Sequence, residues 1–199
     1  MNETDPRVIR TRRLLLDAFA GLLKEKGFRA MSVQDIASRA TVNRATFYAH
    51  FEDKYALMES FIRTGFQQRV AEELSRSAAF TVDNLRLLIG IVLEYLVQVE
   101  SNQCRGAKQH AEPLFETIIQ DELYQILLSW LKQPPPADVR CWAARETAAV
   151  AMSWAIFGAG LQWSQSRRNT PAEEMADQMV GLLTHGLFQA MEIEPTQAH

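Results

Sequence analysis

The 199 residues predict an all-α protein, with a small N-terminal domain followed by a larger helical body. Three observations carry that prediction. β-branched runs are short and hairpin dipeptides do not occur. Capping residues recur just ahead of apolar positions spaced three and four apart. Prolines stand where helices begin or stop, at Pro6, Pro113 and Pro171 and in the run Gln133-Pro134-Pro135-Pro136-Ala137.

The first helix opens on Asp5-Pro6, a cap and a first-position proline. Its apolar face includes Leu15, Ala18, Phe19, Leu22 and Leu23, and Lys26-Gly27 closes it. Arg7, Arg10, Arg12 and Arg13 load its start with positive charge, which opposes the helix dipole. They suit phosphates or form a solvated face, and the sequence leaves both readings open.

The next twenty residues carry the most specific chemistry of the chain. Ser32 is placed to cap a short helix, with Asp35 three residues on completing a capping box. Val33, Ile36, Ala37 and Ala40 form its apolar face, and Thr41-Val42 interrupts the pattern. Asn43 can cap a second short helix whose inward positions are Phe47 and Phe51, with Val42 joining the two helices from the turn. Arg44, Ala45, Thr46 and Tyr48 are left facing outward from its start. An arginine offers two donors to guanine, an asparagine can pair with adenine, and a threonine methyl can meet that of thymine. Tyr48, His50 and Lys54 suit phosphate oxygens, which position a protein without reading sequence.

Asp53 is placed to cap a long fourth helix reaching about Arg76, with Leu57, Met58, Phe61, Ile62, Phe66 and Val70 inside. Thr81 to about Asn102 forms the next. There Arg86, Gly90, Glu94 and Gln98 make one narrow polar stripe on an otherwise apolar rod, the pattern of a core helix or a cavity wall. Pro113 predicts a fresh helix start, which leaves Cys104 to Ala111 as a separate short element. The proline run is a loop, and Asp138 opens a helix to about Gln165. Thr170-Pro171-Ala172-Glu173 launches the last helix, to about Met191.

The overall charge of −3 argues against nucleic-acid binding, but its distribution reverses that inference. Up to Lys54 the chain has ten Lys and Arg against seven Asp and Glu, and the remainder has eleven against seventeen. A basic head on an acidic body suits a DNA-binding protein. Cys104 and Cys141 show no paired spacing, so neither a disulfide framework nor a zinc site is expected, and a reducing cytoplasm fits. The start of the chain has no apolar signal core. The longest nearly apolar run, Ala148 to Leu161, falls short of the ~20 residues that span a bilayer.

The stretch from the helix before Gly27-Phe28, through Val33-Gln34-Asp35-Ile36-Ala37 and Val42-Asn43-Arg44-Ala45-Thr46-Phe47-Tyr48-Ala49-His50-Phe51, to Asp53-Lys54-Tyr55-Ala56-Leu57 resembles the DNA-binding domain of TetR/AcrR-family bacterial regulators. It covers about the first third of the chain. Thr41 and Ala45 depart from the commonest pattern, which has glycine at both. A β-branched Thr is costly if the turn needs positive φ.

The resemblance implies a three-helix DNA-binding domain at residues 6–66, with its helix-turn-helix at about 31–51. A helical effector-binding and dimerisation domain at 67–191 and a frayed tail at 192–199 would follow. The DNA-facing set is then Ser32, Thr41, Asn43, Arg44, Ala45, Thr46, Tyr48, His50 and Lys54, with His50 assigned to phosphate by resemblance. The expected function is a dimeric regulator, more a repressor than an activator. It would bind a palindromic operator in double-stranded DNA and be released by a small-molecule effector. Recruitment of a protein partner without an effector is the alternative.

Tyr95, His110, Trp130, Trp142 and Trp154 are candidates for an effector cavity, although aromatic residues at helical spacing are ordinarily core. The small residues of the 148–161 stretch and the aromatic and Met anchors suggest a homodimer face at Ala155, Phe157, Ala159, Trp163, Met175, Met179, Leu183 and Leu187. Packing within one subunit is the competing reading. A second subunit also answers a need, because one reading helix contacts too few base pairs to find an operator. Cys104, His110 and Glu112 could suggest an all-helical enzyme. No acid is placed to orient the histidine and no ligand spacing appears, so no catalytic residue, metal or cofactor is expected.

Overall fold

The computed structural model describes residues 5–74, 79–101, 105–132, 142–166 and 170–185. They form eight helices: α1 (Pro6–Ala30), α2 (Val33–Arg39), α3 (Arg44–His50), α4 (Lys54–Glu73), α5 (Val82–Ser101), α6 (Arg105–Lys132), α7 (Trp142–Gln165) and α8 (Ala172–His185). The chain divides into two compact units. Residues 1–66 with 99–119 make the first, and 67–98 with 120–199 the second.

Local side-chain chemistry starts the helices of the first unit. The Asp5 carboxylate accepts from the Arg7 N–H at 2.8 Å, and Pro6 stands in the first turn. Gly27, at φ 74° and ψ 164°, ends the straight run of α1, and Phe28–Ala30 form a separate turn after it. A glycine adopts that left-handed φ without steric cost. The capping box of α2 is complete: Ser32 Oγ accepts from the Asp35 N–H at 3.2 Å, and the Asp35 carboxylate accepts from the Ser32 N–H at 2.8 Å. Asn43 caps α3, and Asp53 Oδ1 accepts from the N–H groups of Tyr55 and Ala56, both at 2.8 Å.

The core of this unit joins Leu15, Phe19 and Leu22 of α1 to Ile36 and Ala37, Phe47 and Phe51, and Leu57, Met58, Ile62 and Phe66, all buried. Phe19 meets Phe28 and Phe61 edge-on or tilted, with centroids 6.2 and 5.3 Å apart. Two ion pairs, Lys26–Asp35 at 2.8 Å and Arg39–Glu25 at 2.6 Å, tie α2 to the end of α1. Arg39 reaches Glu25 across Gly21, where a Cβ would stand 2.8 Å from its guanidinium.

In the second unit α5 is the central rod. Leu85, Leu88, Ile89, Ile91, Val92, Leu93 and Leu96 are all buried. Its polar stripe is matched by charge: Arg86 pairs with Asp177 of α8 and with Asp83 one turn back on α5 itself, and Glu94 pairs with Arg69 of α4. Gly160 of α7 lets that helix approach α5 closely, since a Cβ there would stand 3.1 Å from Leu96 and 3.3 Å from Leu93. Buried Glu122 accepts from the Gln67 amide at 2.9 Å, and Gln120 donates to the buried Ser153 hydroxyl at 3.2 Å. Among the described residues no helix is long and apolar enough to cross a membrane.

Several expectations are corrected here. Pro113 does not begin a helix, because α6 runs through it from Arg105 to Lys132. An interior proline removes one backbone bond and costs about 3 kcal/mol. Burial along the later turns at Ile118, Ile119, Leu123, Leu127 and Leu128 outweighs that local penalty. Trp154, a cavity candidate, is 58% exposed and stands clear of its own chain's core. Phe157 and Met179, assigned to a dimer face, are buried within the subunit. They fall in register with Ala149, Met152 and Ile156 on α7 and with Ala176 and Val180 on α8, which are also buried.

Ala155, Ala159, Trp163, Met175 and Leu183 are half-buried. The indole N–H of Trp163 donates to the Thr170 carbonyl at 2.9 Å. Trp130 is buried and Tyr95 half-buried. The side chains of His110 and Trp142 lie outside the described residues, as do Cys104, Cys141, Asp138, the proline run, Leu187 and the 192–199 tail.

Candidate nucleic-acid interface

The start of α3 is built outward from two buried rings. Phe47 and Phe51 are fully or almost fully buried, 6.0 Å apart between centroids. They fix which face of the seven-residue helix looks to solvent. Arg44, Ala45, Tyr48 and Ala49 lie on that face, and Thr46 and His50 flank it half-buried. Asn43 Oδ1 accepts from the Ala45 N–H at 2.9 Å, which turns its amide toward the helix. An asparagine reads adenine by accepting and donating together, so Asn43 serves here chiefly as the cap. Arg44 is the one residue of the first turn with a charged head free of the backbone. Its Nη2 donates to the Tyr48 hydroxyl at 3.1 Å, and its guanidinium carbon stands 5.5 Å from the Tyr48 ring centroid.

The α2–α3 turn resolves the question raised by the missing glycine. Thr41 has φ 55°, the left-handed region that glycine favours, so the turn keeps its geometry and the threonine bears the strain. Its N–H donates to the Ser38 carbonyl, its hydroxyl to the Ala40 carbonyl at 2.7 Å, and the Val42 N–H to Ala37. Exposed Ser32 has its hydroxyl engaged by Asp35.

Lys54, expected at phosphate, also has partners within the head. Its ammonium donates to the carbonyls of Phe28 (3.2 Å) and Met31 (2.9 Å) and sits 4.6 Å from the Phe28 ring centroid. It clasps the end of α1 to the start of α4. Lys54 thereby holds the head together, and the positive charge it brings stays half-buried.

His50 titrates below an ordinary histidine. Burial, and then the nearby Arg12 guanidinium, push its imidazole below the ordinary value of 6.5. Its Nδ1 is buried and has no hydrogen-bond partner among the described residues.

Arg12 is a residue of this surface that sequence reasoning left in an undivided arginine cluster. It donates to the His50 carbonyl at 3.3 Å and to Ser60 Oγ at 3.5 Å, and stacks 4.5 Å from the centre of the Phe51 ring. One side chain thus joins α1, the end of α3 and α4. The signal lay in the spacing, since residue 12 precedes Leu15, Phe19 and Leu22 on the inward stripe. Arg7, Arg10 and Arg13 point to solvent, and the Arg13–Asp17 contact is long at 4.0 Å.

The arrangement is a rigid three-helix head offering one short helix, with an arginine at its opening turn, to a partner. Residues 15–61 match the model of the bacterial regulatory proteins of the tetR family. Two helix-turn-helix transcriptional regulators of Bacillus subtilis (strain 168) resemble the same region. YxbF is 33% identical over 86 residues, 43% of this chain and 20% of that protein. YdeS is 45% identical over 60 residues, 30% of each chain. The matched stretch thus spans under a third of either relative. In fold, the TetR-family repressor AlkX from Dietzia sp. strain DQ12-45-1b is similar over 97% of this chain and 99% of its own, with a TM-score of 0.57 and 15% identity. Head and turn agree with these matches: residues 15–61 are similar to the DNA-binding module of the tetR family of bacterial regulatory proteins, and the helical fold as a whole is similar to that of AlkX.

Proposed function

We propose that the protein is a DNA-binding transcriptional repressor. It acts as a homodimer on a palindromic operator in the bacterial cytoplasm, and a small molecule bound in the helical body releases it. The observation that carries the reading is the outward first turn of α3, where Arg44 is presented above the buried Phe47. A helix of this width fits the major groove, and arginine is the side chain most suited to the guanine edge there. The remaining candidates divide by the work they do. Ala45, Thr46 and Tyr48 accompany Arg44 at the groove, and His50 faces phosphate. Ser32, Thr41 and Asn43 shape the turn and caps that hold them.

Effector release requires the ligand to favour one arrangement of the two heads over another. A difference of about 1–3 kcal/mol produces a useful change in occupancy. Helix α4 contributes residues to both units and is the natural transmitting element.

Selection of bound duplexes from a random pool tests the reading. A two-fold symmetric site is expected, with half-sites about one helical turn apart. Arg44→Ala should weaken binding to the selected operator by about 1–3 kcal/mol and abolish preference at one base pair. Recovery of no preferred duplex, or an unchanged preference in the Arg44 variant, defeats the assignment.

A further inference from the structure

Tyr48 is 47% exposed one turn after Arg44, on the same face of α3. Its ring is fixed from behind, meeting the buried Phe47 ring at an interplanar angle of 86° with centroids 5.5 Å apart. The hydroxyl so anchored accepts from Arg44 Nη2, and the ring lies beneath the guanidinium. Arginine side chains on a surface ordinarily sample many rotamers, and ordering one on binding costs free energy. Here the guanidinium already has a partner in Tyr48 without DNA.

We propose that Tyr48 is a positioning residue for base reading: it holds the Arg44 guanidinium in a set direction, and discrimination at the base pair Arg44 meets depends on it. This rests on the reading of α3 as a DNA-reading helix. The chemistry is compatible with readout, because a guanidinium has five N–H donors. One is used on Tyr48, and enough remain for a bidentate contact with guanine O6 and N7.

A tyrosine that only binds phosphate makes a different set of predictions. It strengthens binding to every duplex alike and has no energetic connection to Arg44. The two roles separate in a double-mutant cycle on the selected operator and on the duplex altered at the pair Arg44 reads. Tyr48→Phe keeps the ring and its packing on Phe47 and removes only the hydroxyl, so the fold is retained, and a thermal melt checks this. The expected result is a loss of about fivefold in preference for the correct pair, the size of one net hydrogen bond. Binding to the altered duplex should fall less than binding to the selected operator, by that same factor. In the Arg44→Ala background the same substitution should have no effect on preference. An equal loss on both duplexes that persists in the Arg44→Ala background overturns the proposal, as does an unchanged preference. Failure of the wild-type protein to select any duplex is a separate outcome and counts against the DNA-reading assignment itself.

Discussion

Thr41 sits at φ 55° in the turn before α3, and that one dihedral sets a measurable strain. An L-residue with a Cβ in this region loses roughly 1–2 kcal/mol, and β-branching makes threonine one of the poorer choices. Glycine would relieve the strain but returns about 0.5–1 kcal/mol through its larger freedom in the unfolded chain. Asparagine tolerates the left-handed region without that entropic loss. Thr41→Asn should therefore raise the urea midpoint by an amount equivalent to about 1 kcal/mol, and Thr41→Gly by less. A lower midpoint for Thr41→Asn would mean that the bond from the Thr41 hydroxyl to the Ala40 carbonyl outweighs the strain.

At the same scale lies the difference between what was legible and what was not. Asp5, Ser32, Asn43 and Asp53 were readable as caps because each bonds a backbone N–H two or three residues away. Lys54 and Arg12 were not. The carbonyls that Lys54 binds are 23 and 26 residues distant, and the His50 carbonyl and Ser60 hydroxyl that Arg12 binds are 38 and 48 residues from it along the chain. Only the fold brings such partners together, and a cation read locally looks available to phosphate.

Among the elements, α1 and α2 are joined by charge as well as by packing. The Lys26 ammonium, then the Ser32 hydroxyl and N–H, hold the Asp35 carboxyl well below its ordinary value of 3.8. Arg39 lowers Glu25 from its ordinary 4.5 in the same way. Glu25 is exposed and Asp35 partly so, and water screens these contacts, so each contribution is small. The sign is nonetheless determined. A carboxyl depressed in the folded state stabilises above its unfolded value, and that contribution disappears as pH falls through the folded value. Asp35→Asn should thus lower the thermal midpoint at neutral pH and converge on wild type in acid, because protonation has already removed the same contacts there. A deficit that stayed constant down to strongly acidic pH would place the role of Asp35 in its capping geometry alone. Pro113 marks the limit of element-level reading, since a rule about local backbone is overruled by apolar burial several turns later in α6.

For the whole molecule, the register of α7 decides which of its large side chains serve the subunit and which face outward. Phe157 and Ile156 are buried, whereas Trp154 is 58% and Val150 42% exposed, one helical turn apart on the opposite side. On α8 the same division leaves Leu182 at 38% exposed while Met179 and Val180 are inside. Spacing alone could not separate these faces, because small and large apolar residues occur all round α7; burial separates them. An indole more than half in water is costly for a monomer and is the kind of anchor that dominates subunit interfaces. Gly158, two turns along from Val150, has nothing within 4 Å of where a Cβ would stand, so close approach from outside is sterically open. Trp154→Glu should consequently leave the thermal midpoint of the isolated subunit almost unchanged while shifting sedimentation from dimer to monomer. Operator affinity should then fall on the order of a hundredfold, as the second half-site is no longer engaged together with the first. A Trp154→Glu protein that remains dimeric and binds its operator normally would show that the two copies meet on another face.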